Sequence, residues 1–192
     1  MTVDARRVLA DVFKETASAH NRFVTNGLDS VIQAAEAIRR ATAARRKLLA
    51  FGNGGSAGDA QHLVAELVGR FEIERQGLPA LALTPDSSVL TAIANDYGYE
   101  RVFSRQIEAL GLEGDVAFGV STSGRSRNVE AGLATAKARG LVTIAMTGRD
   151  GGAMGRSADI HINVAESSTA RIQEVHRTIL HAMCLLIERD LM

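Results

Sequence analysis

Two short stretches carry residue types at spacings that suit chemistry on an anion. The first is GNGGSAGD, residues 52–59, which leaves the apolar run LLAF and leads into AQHLVAEL. Glycines there permit positive φ and let backbone N–H groups approach a ligand closely. Ser56 is a candidate cap for the helix that follows, with Asp59 three positions on in capping-box spacing. A helix N-terminus preceded by bare amides favours an oxyanion or a phosphate, although the same residues also suit a plain strand-to-helix turn. The second stretch, STSGRSRN, follows DVAFGV and sets Ser121, Thr122, Ser123 and Ser126 around one glycine at a second helix start. Hydroxyls and amides together make a phosphate cradle, to which Arg125 could add charge. Neither stretch is a P-loop, because no G-K-[ST] follows the glycines, and neither carries the G-x-G-x-x-G nucleotide fingerprint. His62 and Glu66 stand four residues apart, on one face of the helix after the first loop, so both can converge on one ligand.

These loops need strands before them and helices after them, and the pattern supplies both. Residues 1–45 contain a single glycine and no proline, with Val8, Val12, Val31, Ala34, Ala35 and Ile38 at helical spacing. Two helices are expected, broken near NGLDS at 26–30. From Lys47 onward the strands KLLAF, PALALT, DVAFGVS, LVTIAMT and DIHINV alternate with helix-length stretches such as RNVEAGLATAKARG. Short apolar strands separated by helices imply a parallel sheet covered on both faces. In such a sheet, ligands bind beyond the carboxyl ends of the strands, where both loops fall. The last stretch, ARIQEVHRTILHAMCLLIERDLM, reads as one long helix with Gln173 and His181 about 80° apart around its axis.

Composition narrows the function classes. Lys and Arg number 22, Asp and Glu 22, so the formal charge is zero and no nucleic-acid partner is expected. The single cysteine, Cys184, leaves no intrachain disulfide framework and suits a reducing cytoplasm, with Cys184 itself a small core residue. No apolar run approaches the ~18 residues of a membrane span, and the charged N-terminus is unlike a secretory signal. The expectation is a cytoplasmic α/β protein.

GNGGSAGDAQH, ANDYGYERVFSRQ, STSGRSRNV, MTGRDGG and RIQEVH, in this order, resemble the sugar isomerase (SIS) domain of phosphoheptose isomerases, from about residue 10 to the end. The resemblance implies a flavodoxin-like SIS domain over 46–192, with the helices of 1–45 serving oligomerisation in a homotetramer. It implies a sugar phosphate as substrate, its phosphate held by Ser121, Thr122, Ser123 and Ser126. Asn53, Gly54, Gly55, Asn95 and Asp96 would contact the sugar, as would Glu66 and Gln173. It also brings His62, Glu66, Gln173 and His181 together as acid–base machinery and, in metal-bound members, as zinc ligands. Two imidazoles with a carboxylate suit catalytic zinc, and the weak amide ligand Gln173 could yield its place to substrate.

The implied reaction is sedoheptulose 7-phosphate isomerisation to D-glycero-D-manno-heptose 7-phosphate, the first step of bacterial ADP-heptose synthesis. Proton transfer between C1 and C2 through an enediol needs a base and an acid. Glu66 is the expected base and His181 the acid, with Asp96, in a strand-end loop, in reserve for a polar role. His20, His161 and His176 are expected to be surface or satisfied core residues. A SIS paralogue that binds a replication initiator need not keep both Glu66 and His181. A sugar-phosphate sensing domain would usually accompany a DNA-binding module, for which there is no room. An isomerase of the same fold acting on a shorter sugar phosphate would share these motifs.

Overall fold

The computed structural model describes residues 4–189 of the 192. Apolar runs form five parallel strands: β1 Leu48–Gly52, β2 Ala80–Ala82, β3 Val116–Ser121, β4 Val142–Gly148 and β5 Ile160–Val164, in the order β2-β1-β3-β4-β5. Leu48 pairs with both Ala80 and Val116, Val116 with Val142, and Ile144 with Ile160, so the strands are nearly flush. Among the described residues the helices are α1 Ala5–Asn26, α2 Leu28–Ala43, α3 Gly55–Val68, α4 Ser87–Tyr97, α5 Ser104–Leu110, α6 Arg127–Ala138, α7 Gly152–Ser157 and α8 Thr169–Arg189. Side chains alternate between the two faces of a strand, and both faces here are dry. Leu48, Ala50, Phe118, Val120, Ile144 and Met146 pack with Ile38 of α2, Leu63 of α3 and Leu180 of α8. Leu49, Phe51, Ala117 and Ala145 pack on the other side with Ile107 of α5, Leu133 of α6 and Met154 of α7. Cys184 is buried in the first of these cores, where burial pushes its thiol up to about 12.

Several local expectations are corrected. The break expected across 26–30 is Gly27 alone, which caps both α1 and α2; a side chain there would stand 2.4 Å from the Phe23 ring. PALALT yields a three-residue strand, because β2 is an edge paired only to β1 and bounded by Pro79 and Pro85. Ser56 does not cap α3. The helix starts at Gly55 behind Gly54, whose φ of 56° and ψ of −122° no ordinary residue favours, and Ser56 is buried inside its first turn. Asn95 and Asp96 lie in the last turn of α4, not in a strand-end loop, since α4 runs without a breaker as far as Gly98.

The N-terminal helix stands apart energetically. Of the 22 residues of α1 only Ala19 is buried, while Val8, Leu9, Phe13 and Val24 are exposed, Phe13 at 73%. No helix among the described residues is long and apolar enough to cross a membrane.

Candidate active site

The carboxyl ends of β1 and β3 open side by side, and each hands its chain to a helix. Gly52 ends β1 where a Cβ would meet the carbonyls of Ser56 and Val120 at 2.8 Å, so only glycine lets the strand turn between them. Asn53 follows, and its amide forms a reciprocal pair with Asn128 in the first turn of α6. Asn53 Nδ2 donates to Asn128 Oδ1 at 2.8 Å, and Asn128 Nδ2 donates back to Asn53 Oδ1 at 2.9 Å. The Tyr99 hydroxyl donates to the same Asn53 oxygen at 3.0 Å. This clasp locks the glycine loop to the serine loop.

In the serine loop, the Ser121 hydroxyl lies 2.8 Å from that of Ser126 and 3.3 Å from that of Ser123. Ser123 Oγ also accepts the Arg125 N–H at 3.2 Å. Ser126 is the N-cap of α6 yet makes no side-chain bond to that helix, so its hydroxyl faces the other serines. Three hydroxyls thus gather at a helix N-terminus, whose partial positive charge favours an anion. Thr122 is half-buried in the same loop, its carbonyl set where a side chain on Gly148 would collide. Arg125 does not add free charge to the cradle, because its guanidinium is paired with Asp150.

The acid–base candidates meet between α3 and α8. His62 Nε2 lies 2.8 Å from His181 Nε2 and 3.4 Å from Glu66 Oε1. Between two imidazole nitrogens at that distance one donates and the other accepts, so the pair holds one proton between them. Burial, with the nearby charge of Arg177, lowers the His62 pKa against the pull of Glu66, which keeps this imidazole neutral at pH 7. Phe71 covers the cluster, its ring centroid 5.5 Å from that of His181. Gln173 sits one strip along α8, against the backbone of Gly55, where a Cβ would come within 2.2 Å of its amide nitrogen. Asp59 also faces α8. Its Oδ1 accepts from Arg177, while burial raises the pKa of its carboxyl and Oδ2 finds no partner among the described residues.

The structure therefore brings His62, Glu66 and His181 together between α3 and α8, sets Gln173 against Gly55 at the start of α3, and clasps Asn53 to Asn128 two residues beyond Ser126 of the serine loop. Asn95 and Asp96 are exposed and bond to each other at 2.8 Å, and neither bonds to the other site residues. Their neighbour Tyr99 makes that link instead. Tyr99, Asn128, Phe71 and Arg177 join the site without standing out in the sequence. The first two lie inside the ANDYGYERVF and STSGRSRNV motifs, which was the available signal. His176 is fully buried with Nε2 on the Thr147 carbonyl at 2.9 Å, and His161 Nε2 meets Thr147 Oγ1 at 2.7 Å. His20 bonds the Thr16 carbonyl and the Thr178 hydroxyl. All three lie outside the cluster, and His20 and His161 are satisfied there, whereas the buried Nδ1 of His176 finds no partner among the described residues.

Among the described residues no three His, Cys, Asp or Glu side chains are already spread as a metal cage. The donor set nonetheless suits one. Ligand atoms about 2.05 Å from a tetrahedral zinc stand roughly 3.3 Å apart. The His62–Glu66 separation matches that edge, and the His62–His181 contact is a little short of it.

A family model described as the SIS domain matches residues 12–148. The phosphoheptose isomerase of Halorhodospira halophila is 48% identical over 192 residues, covering 98% of this chain and 97% of that protein. That of Nitratidesulfovibrio vulgaris is 46% identical over 100% of this chain and 92% of its own length. The solved phosphoheptose isomerase of Neisseria gonorrhoeae superposes with a TM-score of 0.91 at 44% identity, covering 96% of this chain and 98% of that one. That of Francisella tularensis gives 0.93 at 34% identity over 98% and 100%. At this identity and coverage, the chain belongs to the phosphoheptose isomerase family of SIS-domain proteins and is a sugar-phosphate isomerase.

Proposed function

We propose that the chain converts D-sedoheptulose 7-phosphate into D-glycero-D-manno-heptose 7-phosphate, the first step of ADP-heptose synthesis. The observation that carries this is the meeting of His62, Glu66 and His181 between α3 and α8, where a carboxylate and two imidazoles supply a base and an acid. The Ser121, Ser123 and Ser126 hydroxyls hold the phosphate, and Asn53 and the Gly54–Gly55 backbone bind the sugar chain. Glu66 takes the proton from C1 of the ketose and returns it at C2. His181 gives a proton to the C2 oxygen and recovers one from the C1 hydroxyl, so the exchange balances without a redox partner. Positioned groups of this kind contribute about 10²–10⁴-fold each.

His62, Glu66, Gln173 and His181 would hold one zinc per subunit, which when bound polarises the carbonyl and steadies the enediolate. The carboxylate then serves as base through the oxygen it does not commit to the ion. Residues 1–45 supply the assembly surface of a homotetramer, supported by the bare apolar face of α1. The zero net charge fits a cytoplasmic enzyme with no nucleic-acid partner.

The test is turnover by purified protein on five-, six- and seven-carbon ketose phosphates, with Glu66→Gln beside it. The expected result is highest kcat/KM on the seven-carbon substrate and a kcat about 10²-fold lower in the variant. Preference for a shorter sugar would refute the substrate, and near-normal turnover by the variant would remove Glu66 from the chemistry. A monomer mass by light scattering would end the tetramer.

A further inference from the structure

One buried ion pair ties the end of α3 to the end of α8. Glu188 stands seven residues beyond His181, about 20° short of two full turns, so both leave the same face of α8. Its carboxylate, 3% exposed, accepts the backbone N–H groups of Phe71 and Glu72 at 2.8 Å and of Ile73 at 3.0 Å. Arg75, 7% exposed, donates Nε to that carboxylate at 3.0 Å. The rest of its guanidinium turns to α3. Nη2 donates to the Glu66 carbonyl at 2.8 Å, and Nη1 to the Leu67 carbonyl at 2.8 Å. Carbonyls in a helix's last turn lack intrahelical partners, and a cation there also suits the helix dipole. One guanidinium therefore holds the main chain of Glu66 and the side chain of Glu188 together. Phe71, whose N–H is fixed by Glu188, lays its ring against His181.

Burying two charges to gain stability is a poor exchange, since packed apolar residues often do as well. Directional bonds to α3, α8 and the segment between them are what an apolar pair could not supply. We propose that Arg75 and Glu188 are positioning residues for the isomerase, setting the spacing of α3, which carries His62 and Glu66, from α8, which carries His181. Neither touches the substrate. The inference rests on the acid–base roles of Glu66 and His181 given above. A displacement near 1 Å at reacting groups can cost about 10²-fold in rate, so a modest slip between these helices is enough.

The experiment compares Arg75→Lys and Glu188→Gln with Ile107→Ala, a core variant on the opposite face of the sheet, in steady-state kinetics with melting followed in parallel. In the two clamp variants kcat should fall ten-fold or more while KM stays within two-fold, because the serine loop is untouched. Ile107→Ala should melt earlier yet keep its kcat. Unchanged kcat in both clamp variants, or an equal fall in Ile107→Ala, overturns the proposal. If the clamp variants do not fold, Phe71→Leu spares both charges and must show the same loss of kcat; normal turnover there overturns it equally. Should the native protein turn over no sugar phosphate, the functional assignment fails by itself. The clamp is then decided by crystal structures: a His62–His181 separation opened beyond hydrogen-bond reach in Arg75→Lys supports it, and an unchanged separation refutes it.

Discussion

Gly124 is the residue on which the serine cradle turns, and Gly124→Ala gives a calculable perturbation. Its φ of 62° places it in the left-handed region, where an L side chain costs about 1–2 kcal/mol. Its new Cβ would stand 2.1 Å from the Gly151 carbonyl oxygen, against 3.4 Å for an ordinary contact, so the two loops must part by 1.3 Å. The facing atoms are backbone, and Met154 N–H is bonded to the Gly124 carbonyl at 3.2 Å, so no flexible side chain can absorb the shift. Overpacking of this kind costs about 1–3 kcal/mol, for a total of about 2–5 kcal/mol. At about 2–4 °C per kcal/mol for a chain of this size, Tm should drop by about 4–20 °C. The Ser121 and Ser126 hydroxyls move with the loop, so KM for the sugar phosphate should rise about ten-fold or more. Gly114→Ala is the internal control. It too has positive φ, 84°, but its Cβ would meet nothing nearer than the Arg46 side chain at 3.4 Å. The assay is a thermal melt and a substrate titration on both variants. If Gly124→Ala melts with Gly114→Ala and keeps its KM, the loop contact and the phosphate assignment are both refuted.

Ser126→Ala removes a hydroxyl that meets Ser121 at 2.8 Å and should raise KM more than it lowers kcat, because phosphate contacts persist from ground state to transition state. A fall in kcat at constant KM would contradict that. Metal analysis of protein purified without chelator should find zinc near one per subunit, with activity lost on chelation and restored by zinc; a fully active metal-free protein would refute the ligand set. Burial holds the His176 imidazole down to about 4, below the ~6.5 of an unfolded chain, so the folded state stays neutral while the unfolded state takes up a proton. Stability from this site is complete above about pH 6.5 and lost as pH falls toward 4, by roughly 3 kcal/mol. His176→Leu should show a correspondingly shallower acid decline of Tm, and an unaltered slope would mean that His176 is not the group titrating.

The alternating strand and helix runs, the glycine and serine loops and the i, i+4 placement of His62 and Glu66 are local properties, and the sequence by itself determined them. Periodicity reports which face of an element is buried, and glycine reports where the backbone takes conformations closed to other residues, so neither needs a distant partner to be legible. The motifs extended this to the identity of the family. Partner choice is another matter. His62 and His181 lie 119 positions apart, and only the packing of α3 against α8 brings their nitrogens to 2.8 Å. The same packing turned Asp59 from a capping residue into the partner of Arg177. Asn95 and Asp96 show the converse. Their motif was legible, but α4 extends through them, and Tyr99 beyond Gly98 is the residue that reaches Asn53. The Arg75–Glu188 pair left no trace in pattern or motif, because its role lies in joining two helix ends whose distance no local rule encodes.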